Sequence, residues 1–165
     1  MNQLDLDYIT TVLSDAAAGS SGSFAELFAA TYQKQYAFTM DYLKDEFSAL
    51  DAMQEAYVFA LTNIGLVMDA ALFVPWLCRA VLRACLKVKY PGENIDALPV
   101  KVGHRVHTMR QLLSLPLTGS QALILKYFFR MSLKSIASYM EMSTFAVWRA
   151  SRKARRTLSK AGEAA

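Results

Sequence analysis

Six cations and no carboxylate fall between Arg149 and Lys160: Arg149, Arg152, Lys153, Arg155, Arg156 and Lys160. Two aromatics, Phe145 and Trp148, stand just before them. Guanidinium and ammonium groups neutralise phosphates, which gives affinity without sequence information. A guanidinium fork also fits the edge of guanine, and an aromatic ring packs on a thymine methyl. Arg149 with Lys153 and Arg152 with Arg156 are like-charge pairs at four-residue spacing, each costing roughly 0.2–0.5 kcal/mol in an isolated helix. A helix with a purely structural task would gain by interleaving Glu. An anionic partner is therefore expected, and nucleic acid is the first reading; a solvated face or a membrane contact is the alternative the residues leave open.

These side chains need a helix to present them and a second helix to hold it. Ser132 to Leu158 supplies both. Ser132 and Ser143 are placed to cap two helices in turn. Leu133, Ile136, Ala137 and Met140 recur at helical spacing after the first cap, and Val147, Ala150, Ala154 and Leu158 after the second. A short helix, a tight turn and a helix with a cationic outer face make the pattern of a helix-turn-helix DNA reader.

The 165 residues suffice for one ordinary domain or two small ones, and 54% hydrophobic content supports a real core. The net charge of +4 divides into −4 over residues 1–90 and +8 over residues 91–165. Two modules with different partners are expected from that asymmetry. Cys78 and Cys85, on one predicted helix, lie roughly 10 Å apart at about 1.5 Å rise per residue, too far to bridge. They read as buried thiols of a cytoplasmic protein. The first residues show no signal-peptide pattern, and the apolar stretch Ile64 to Leu86 is interrupted by Asp69, Pro75, Arg79 and Arg83, so no membrane span is expected. His104 and His107 lack a nearby carboxylate or cysteine in sequence, and a metal role is disfavoured. No Ser-His-Asp, metal or glycine-rich phosphate constellation is present, so neither a cofactor nor catalytic chemistry is expected.

The expected fold is all-α: two small helical bundles joined by a linker, with the helix-turn-helix at the C-terminal end. The divisions are 1–90, a linker at 91–104, and 105–165. In the first bundle, residues 4–17 form a short amphipathic helix. Ser23 caps a helix from Phe24 to Lys44 with Leu27, Phe28, Tyr32, Tyr36, Met40 and Leu43 inward. A third helix from Ser48 to Asn63 turns Leu50, Met53, Tyr57, Ala60 and Ile64 inward, leaving Asp51, Gln54, Glu55 and Val58 on another face. That face alone is compatible with an ordinary polar exterior. Ile64 to Pro75 has no clear period. The helix Trp76–Tyr90 stacks Arg79, Arg83 and Lys87 on one ridge, which repel unless an anion lies opposite. In the second half, two prolines and two glycines in 91–103 read as linker. Val106 to Ser114 is a short helix, and Thr118 to Gln121 has the spacing of a capping box.

This order of features resembles the sigma-70 family in its short, two-domain extracytoplasmic-function form. The resemblance is carried by Asp51-Ala-Met-Gln54-Glu55-Ala-Tyr57, Phe73-Val-Pro-Trp76-Leu77, Leu113-Ser-Leu115-Pro116, Ser135-Ile136-Ala137 and the run Val147 to Leu158, over about residues 8–160. It implies a sigma factor directing core RNA polymerase to promoters, or else a sigma-like helix-turn-helix regulator that does not melt promoters. It implies that Asp51, Gln54, Glu55 and Val58 meet the β′ clamp helices of the polymerase. Arg79, Arg83 and Lys87 would contact the −10 element. Thr144, Phe145, Trp148, Arg149, Arg152, Lys153 and Arg156 would contact duplex DNA at the −35 element. The linker would thread near the RNA exit path, and an inhibitory anti-sigma protein is a further partner it allows. The chain departs from the family's pattern in the Trp76 helix, where Arg83, Lys87 and Lys89-Tyr90 stand in place of Asn, Asp and an arginine pair, in the apolar loop before it, and at three positions of the second half. Ser135 replaces a Glu, Ala150 an Arg, and Glu141 the turn Gly, where a left-handed non-glycine residue costs roughly 1 kcal/mol.

Overall fold

Side-chain caps decide where several of the helices start. The computed structural model describes residues 6–67 and 69–163. Their regular structure is eight α-helices, a few 3-10 turns and one short antiparallel hairpin, so the fold is predominantly all-α. The chain divides into two compact units after Pro91.

The first unit holds α1 (Leu6–Ala17), α2 (Ser21–Leu43), α3 (Glu46–Asn63) and α4 (Phe73–Lys89). Ser20, not Ser23, caps α2, its hydroxyl accepting from the Ser23 N–H at 3.2 Å. Lys44 closes α2 in the left-handed region, and Asp45 then opens α3 by accepting from the Ser48 N–H at 2.8 Å. α4 is the core element, burying Leu77, Cys78, Val81, Leu82, Cys85 and Leu86. α3 approaches it through alanines, with Ala49, Ala52, Ala56 and Ala60 buried beside Met53 and Tyr57. Leu50, expected inward, is 43% exposed because this alanine ridge brings the backbones close and takes the inward position.

α2 is likewise rotated from its expected face. Its buried residues are Leu27, Thr31, Gln35, Thr39 and Leu43, while Tyr32, Tyr36 and Met40 are half-buried and Phe28 is at the exposed margin. Buried polar groups are tolerated where they are bonded. The Thr31 hydroxyl donates to the Leu27 carbonyl at 2.7 Å and shares a 2.7 Å bond with the Tyr57 hydroxyl. Thr39 donates to the Gln35 carbonyl at 2.8 Å, and Gln35 Nε2 donates to Cys78 Sγ at 3.4 Å. Cys78 and Cys85 are buried free thiols, and burial pushes the Cys85 thiol up to about 11. The stretch without a clear period between α3 and α4 holds two 3-10 turns, Ile64–Leu66 and Ala70–Leu72.

The second unit begins where a linker is expected. Residues 91–104 are folded in large part: a 3-10 turn Ile95–Ala97 leads into β1 (Pro99–Val102), which pairs antiparallel with β2 (Arg105–Thr108). Ile95, Leu98, Val100 and Val102 are buried, and β1 packs on α6 (Leu117–Tyr127). Alternation at Val100 and Val102, with Gly103 at φ +64° in the two-residue loop, is the signal of a hairpin. The short helix α5 (Met109–Leu113) therefore starts at Met109 rather than Val106. Its capping box is Thr108 with Gln111: the Gln111 N–H donates to Thr108 Oγ1 at 3.2 Å and the Thr108 N–H to Gln111 Oε1 at 2.8 Å. Thr118 and Gln121 form no such box, because α6 has already begun at Leu117 behind Pro116. α7 (Leu133–Met140) and α8 (Thr144–Glu163) complete the unit.

Candidate nucleic-acid interface

Two serines and a Schellman turn build the helix-turn-helix. The Ser132 hydroxyl accepts from the Ser135 N–H at 3.1 Å and opens α7. The Ser143 hydroxyl accepts from the Ala146 N–H at 3.1 Å and opens α8. Between them, the Met142 N–H donates to the Ala137 carbonyl at 2.9 Å and the Glu141 N–H to that of Ser138 at 3.3 Å. That pair of bonds requires a left-handed residue just past the helix end. Glu141 supplies it at φ +55°, ψ +43°, so the turn keeps its form without glycine. Ile136, Ala137, Tyr139 and Met140 of α7 are buried, as are Val147, Ser151, Ala154 and Leu158 of α8.

α6 braces α8 at Gly119. A Cβ there would stand 2.8 Å from the Ala150 carbonyl oxygen and 2.8 Å from Ala154 Cβ. Small residues on both helices set this crossing. Ala150 belongs to it and is half-buried, while Arg149 before it faces solvent.

Thr144, Phe145, Trp148, Arg149, Arg152, Lys153 and Arg156 all lie on the exposed side of α8. Phe145 is 65% exposed and Trp148 45%, with ring centroids 6.0 Å apart. Arg152 lies over the Trp148 ring at 5.3 Å, and Arg155 over the Tyr127 ring at 6.0 Å. Cation–π contact of this kind orients a guanidinium while leaving its N–H groups available to an anion. Among the described residues no carboxylate pairs with Arg149, Arg152, Lys153, Arg155 or Arg156. The face can therefore donate to phosphate oxygens or base edges without first breaking an internal ion pair.

The ridge on α4 is built differently. Arg79 is half-buried, and burial, with the Arg83 charge beside it, lowers its guanidinium to about 10. Arg83 is half-buried, and of the three only Lys87 is exposed. Lys87 donates to Glu55 Oε1 at 2.5 Å, so this cation is tied to one of the acids on α3. The three do not present the open cationic stripe that their spacing predicts.

On α3, Asp51, Gln54, Glu55 and Val58 are all exposed. Sequence reasoning missed their neighbours: Phe47 at 82% exposure, Leu50 and Leu61 complete an apolar stripe at three- and four-residue spacing around Gln54 and Val58. The spacing was readable, but the inward alanines are as apolar and competed for the same assignment. Among the described residues no group of three or more His, Cys, Asp or Glu gathers as a metal site would, and no helix is long and apolar enough to cross a membrane.

No protein-family model and no curated protein matches the chain. Among solved structures, a complex titled "Structure of CnrH in complex with the cytosolic domain of CnrY" is similar at 21% identity and a TM-score of 0.49, over 97% of this chain and 99% of that one. A likeness at that level carries no weight for function.

Proposed function

We propose that this protein is a sigma-type initiation factor that directs core RNA polymerase to promoter DNA. The observation that carries the proposal is the outer face of α8: exposed, cationic, without an ion pair to any described carboxylate, and presented by a capped helix-turn-helix. Phosphates are neutralised by Arg152, Lys153 and Arg156. Bases are chosen by Thr144, Phe145, Trp148 and Arg149, on the first turns of the helix that enters the major groove. The exposed α3 stripe with Asp51, Gln54, Glu55 and Val58 is the surface proposed for the β′ clamp helices, apolar at Phe47, Leu50, Val58 and Leu61 and acidic along one flank. An anti-sigma protein that covered either face would silence the factor. The test is run-off transcription with purified core enzyme. Start-site-specific transcripts that require this chain support the reading; failure to bind core polymerase at low salt overturns it.

A second reading has its own support in α4. With Arg79 half-buried and Lys87 bonded to Glu55, the ridge proposed for the −10 element is partly occupied within the unit. A sigma-like regulator that binds duplex DNA without opening it fits that arrangement. Permanganate footprinting separates the two readings, since reactive unpaired thymines occur only if strands open.

A further inference from the structure

The hairpin and the C-terminal half of α8 form a feature that extends beyond the base-reading turns. A cleft of about 800 Å³ is lined by Lys126, Trp148, Arg152, Arg155, Arg156 and Lys160. Glu163 is the one carboxylate on its wall. Lys126 comes from the end of α6 and lies 5.3 Å from the Tyr127 ring, the same ring that Arg155 covers. The hairpin braces α8 here. Gly103 in its loop stands close to Arg155, whose Nη2 would be 3.6 Å from a Cβ at that position, and Arg105 Nη1 donates to the Ser159 carbonyl at 3.4 Å. At roughly 1.5 Å rise per residue, Lys160 lies about 16 Å along the axis from Arg149. A major groove is about 12 Å wide, so a helix whose first turns read bases carries its last cations beyond the groove edge. On the proposed DNA reading, the groups within their reach there are a phosphate row.

We infer that the end of this cleft away from Trp148 is a sequence-independent clamp on the DNA backbone, in which Lys126, Arg155 and Lys160 hold phosphates while the hairpin fixes the helix against them. The inference rests on the proposed DNA reading and adds residues and a division of labour to it. Arg152 and Arg155 lie over two different rings, Trp148 and Tyr127, so their guanidiniums are held at separate points rather than gathered at one. A row of spread cations matches phosphates in series better than one compact anion.

The test uses the full chain and fluorescence anisotropy over a salt series, with a duplex enriched by selection and a scrambled duplex. Lys126→Gln, Arg155→Gln and Lys160→Gln together keep most of each stem and remove the charge. Each lost phosphate contact lowers the slope of log K against log salt by about 0.9, so the triple variant is expected to lose roughly 2–3 units of slope. Both duplexes should weaken by the same factor, leaving their affinity ratio unchanged. Arg149→Gln should instead change that ratio. A triple variant with the wild-type slope, or with an altered ratio between duplexes, overturns the clamp while leaving the DNA reading intact. Absence of salt-dependent DNA binding by the wild-type chain overturns both. A fourth outcome also overturns the clamp: loss in the triple variant of tight binding to a free nucleoside tetraphosphate, with duplex binding unchanged.

Discussion

The proposed reading assigns its most specific chemistry to Arg149, which is exposed, has no carboxylate partner among the described residues and stands one turn into α8. If it forks onto a guanine, Arg149→Ala costs about 1–3 kcal/mol at one base and relaxes choice there. Titrations against duplexes with single-base changes measure it; an equal loss across all of them would reassign the residue to phosphate. Glu141 stores a small strain at φ +55°. Glu141→Gly should stabilise the second unit by roughly 0.5–1 kcal/mol, less the extra entropy glycine brings to the unfolded chain, and urea denaturation reads the change. Asp45 is a pH-sensitive cap. Its bonds from the Ser48 hydroxyl and N–H lower its pKa below the ordinary carboxylate value. A depressed folded pKa gives stability that is present above the unfolded value, near 3.8, and lost as pH falls through the folded one. Asp45→Asn should keep the cap at neutral pH and flatten this part of the acid dependence, as urea midpoints at pH 7 and pH 3 would show. Ser132, Ser143 and the position of Glu141 were all legible in the sequence, since capping and turn chemistry act over three or four residues and need no knowledge of packing.

Faces of elements were harder to read than elements. α7 and α8 bury most of the expected residues, with Leu133 and Ala150 half-buried and Tyr139 and Ser151 added, because one clear apolar stripe competes with no other. α2 does not: its inward ridge is Thr31, Gln35 and Thr39, whose polarity suggests solvent. Their bonds to local carbonyls, to Tyr57 and to Cys78 are what permit burial, and those partners arise mostly from folding. The hairpin was read as linker for a related reason. Four residues per strand give only two buried alternations, and the flanking Pro99 and Gly103 look like breakers until β1 is seen packing on α6. Gly119 was taken as part of a capping box, although its contact is with α8, far along the chain. Gly119→Ala forces a methyl against the Ala150 carbonyl and should cost about 1–3 kcal/mol, seen as a lower melting temperature for the second unit. An unchanged melting temperature would mean that the crossing relaxes freely.

At the scale of the molecule, two units with opposite charge carry different candidate surfaces. The acidic unit exposes the apolar stripe of α3 beside Asp51 and Glu55, and the basic unit exposes the cations of α8. The charge asymmetry of the two units was legible along the chain. The pairing of Lys87 with Glu55 was not, since the two lie 32 residues apart in sequence. It links a candidate DNA contact to a candidate polymerase contact, so Lys87→Gln should free Glu55 and alter polymerase binding together with any −10 contact. The central claim is that the outer face of α8 chooses DNA sequence on behalf of a polymerase. Its most direct test is sequencing of duplexes retained from a randomised pool by core polymerase plus this chain. The account predicts a short enriched motif that is absent with core enzyme alone and degraded by Arg149→Ala. Retention of random sequences, or the same motif with Arg149→Ala as with the wild type, would contradict it.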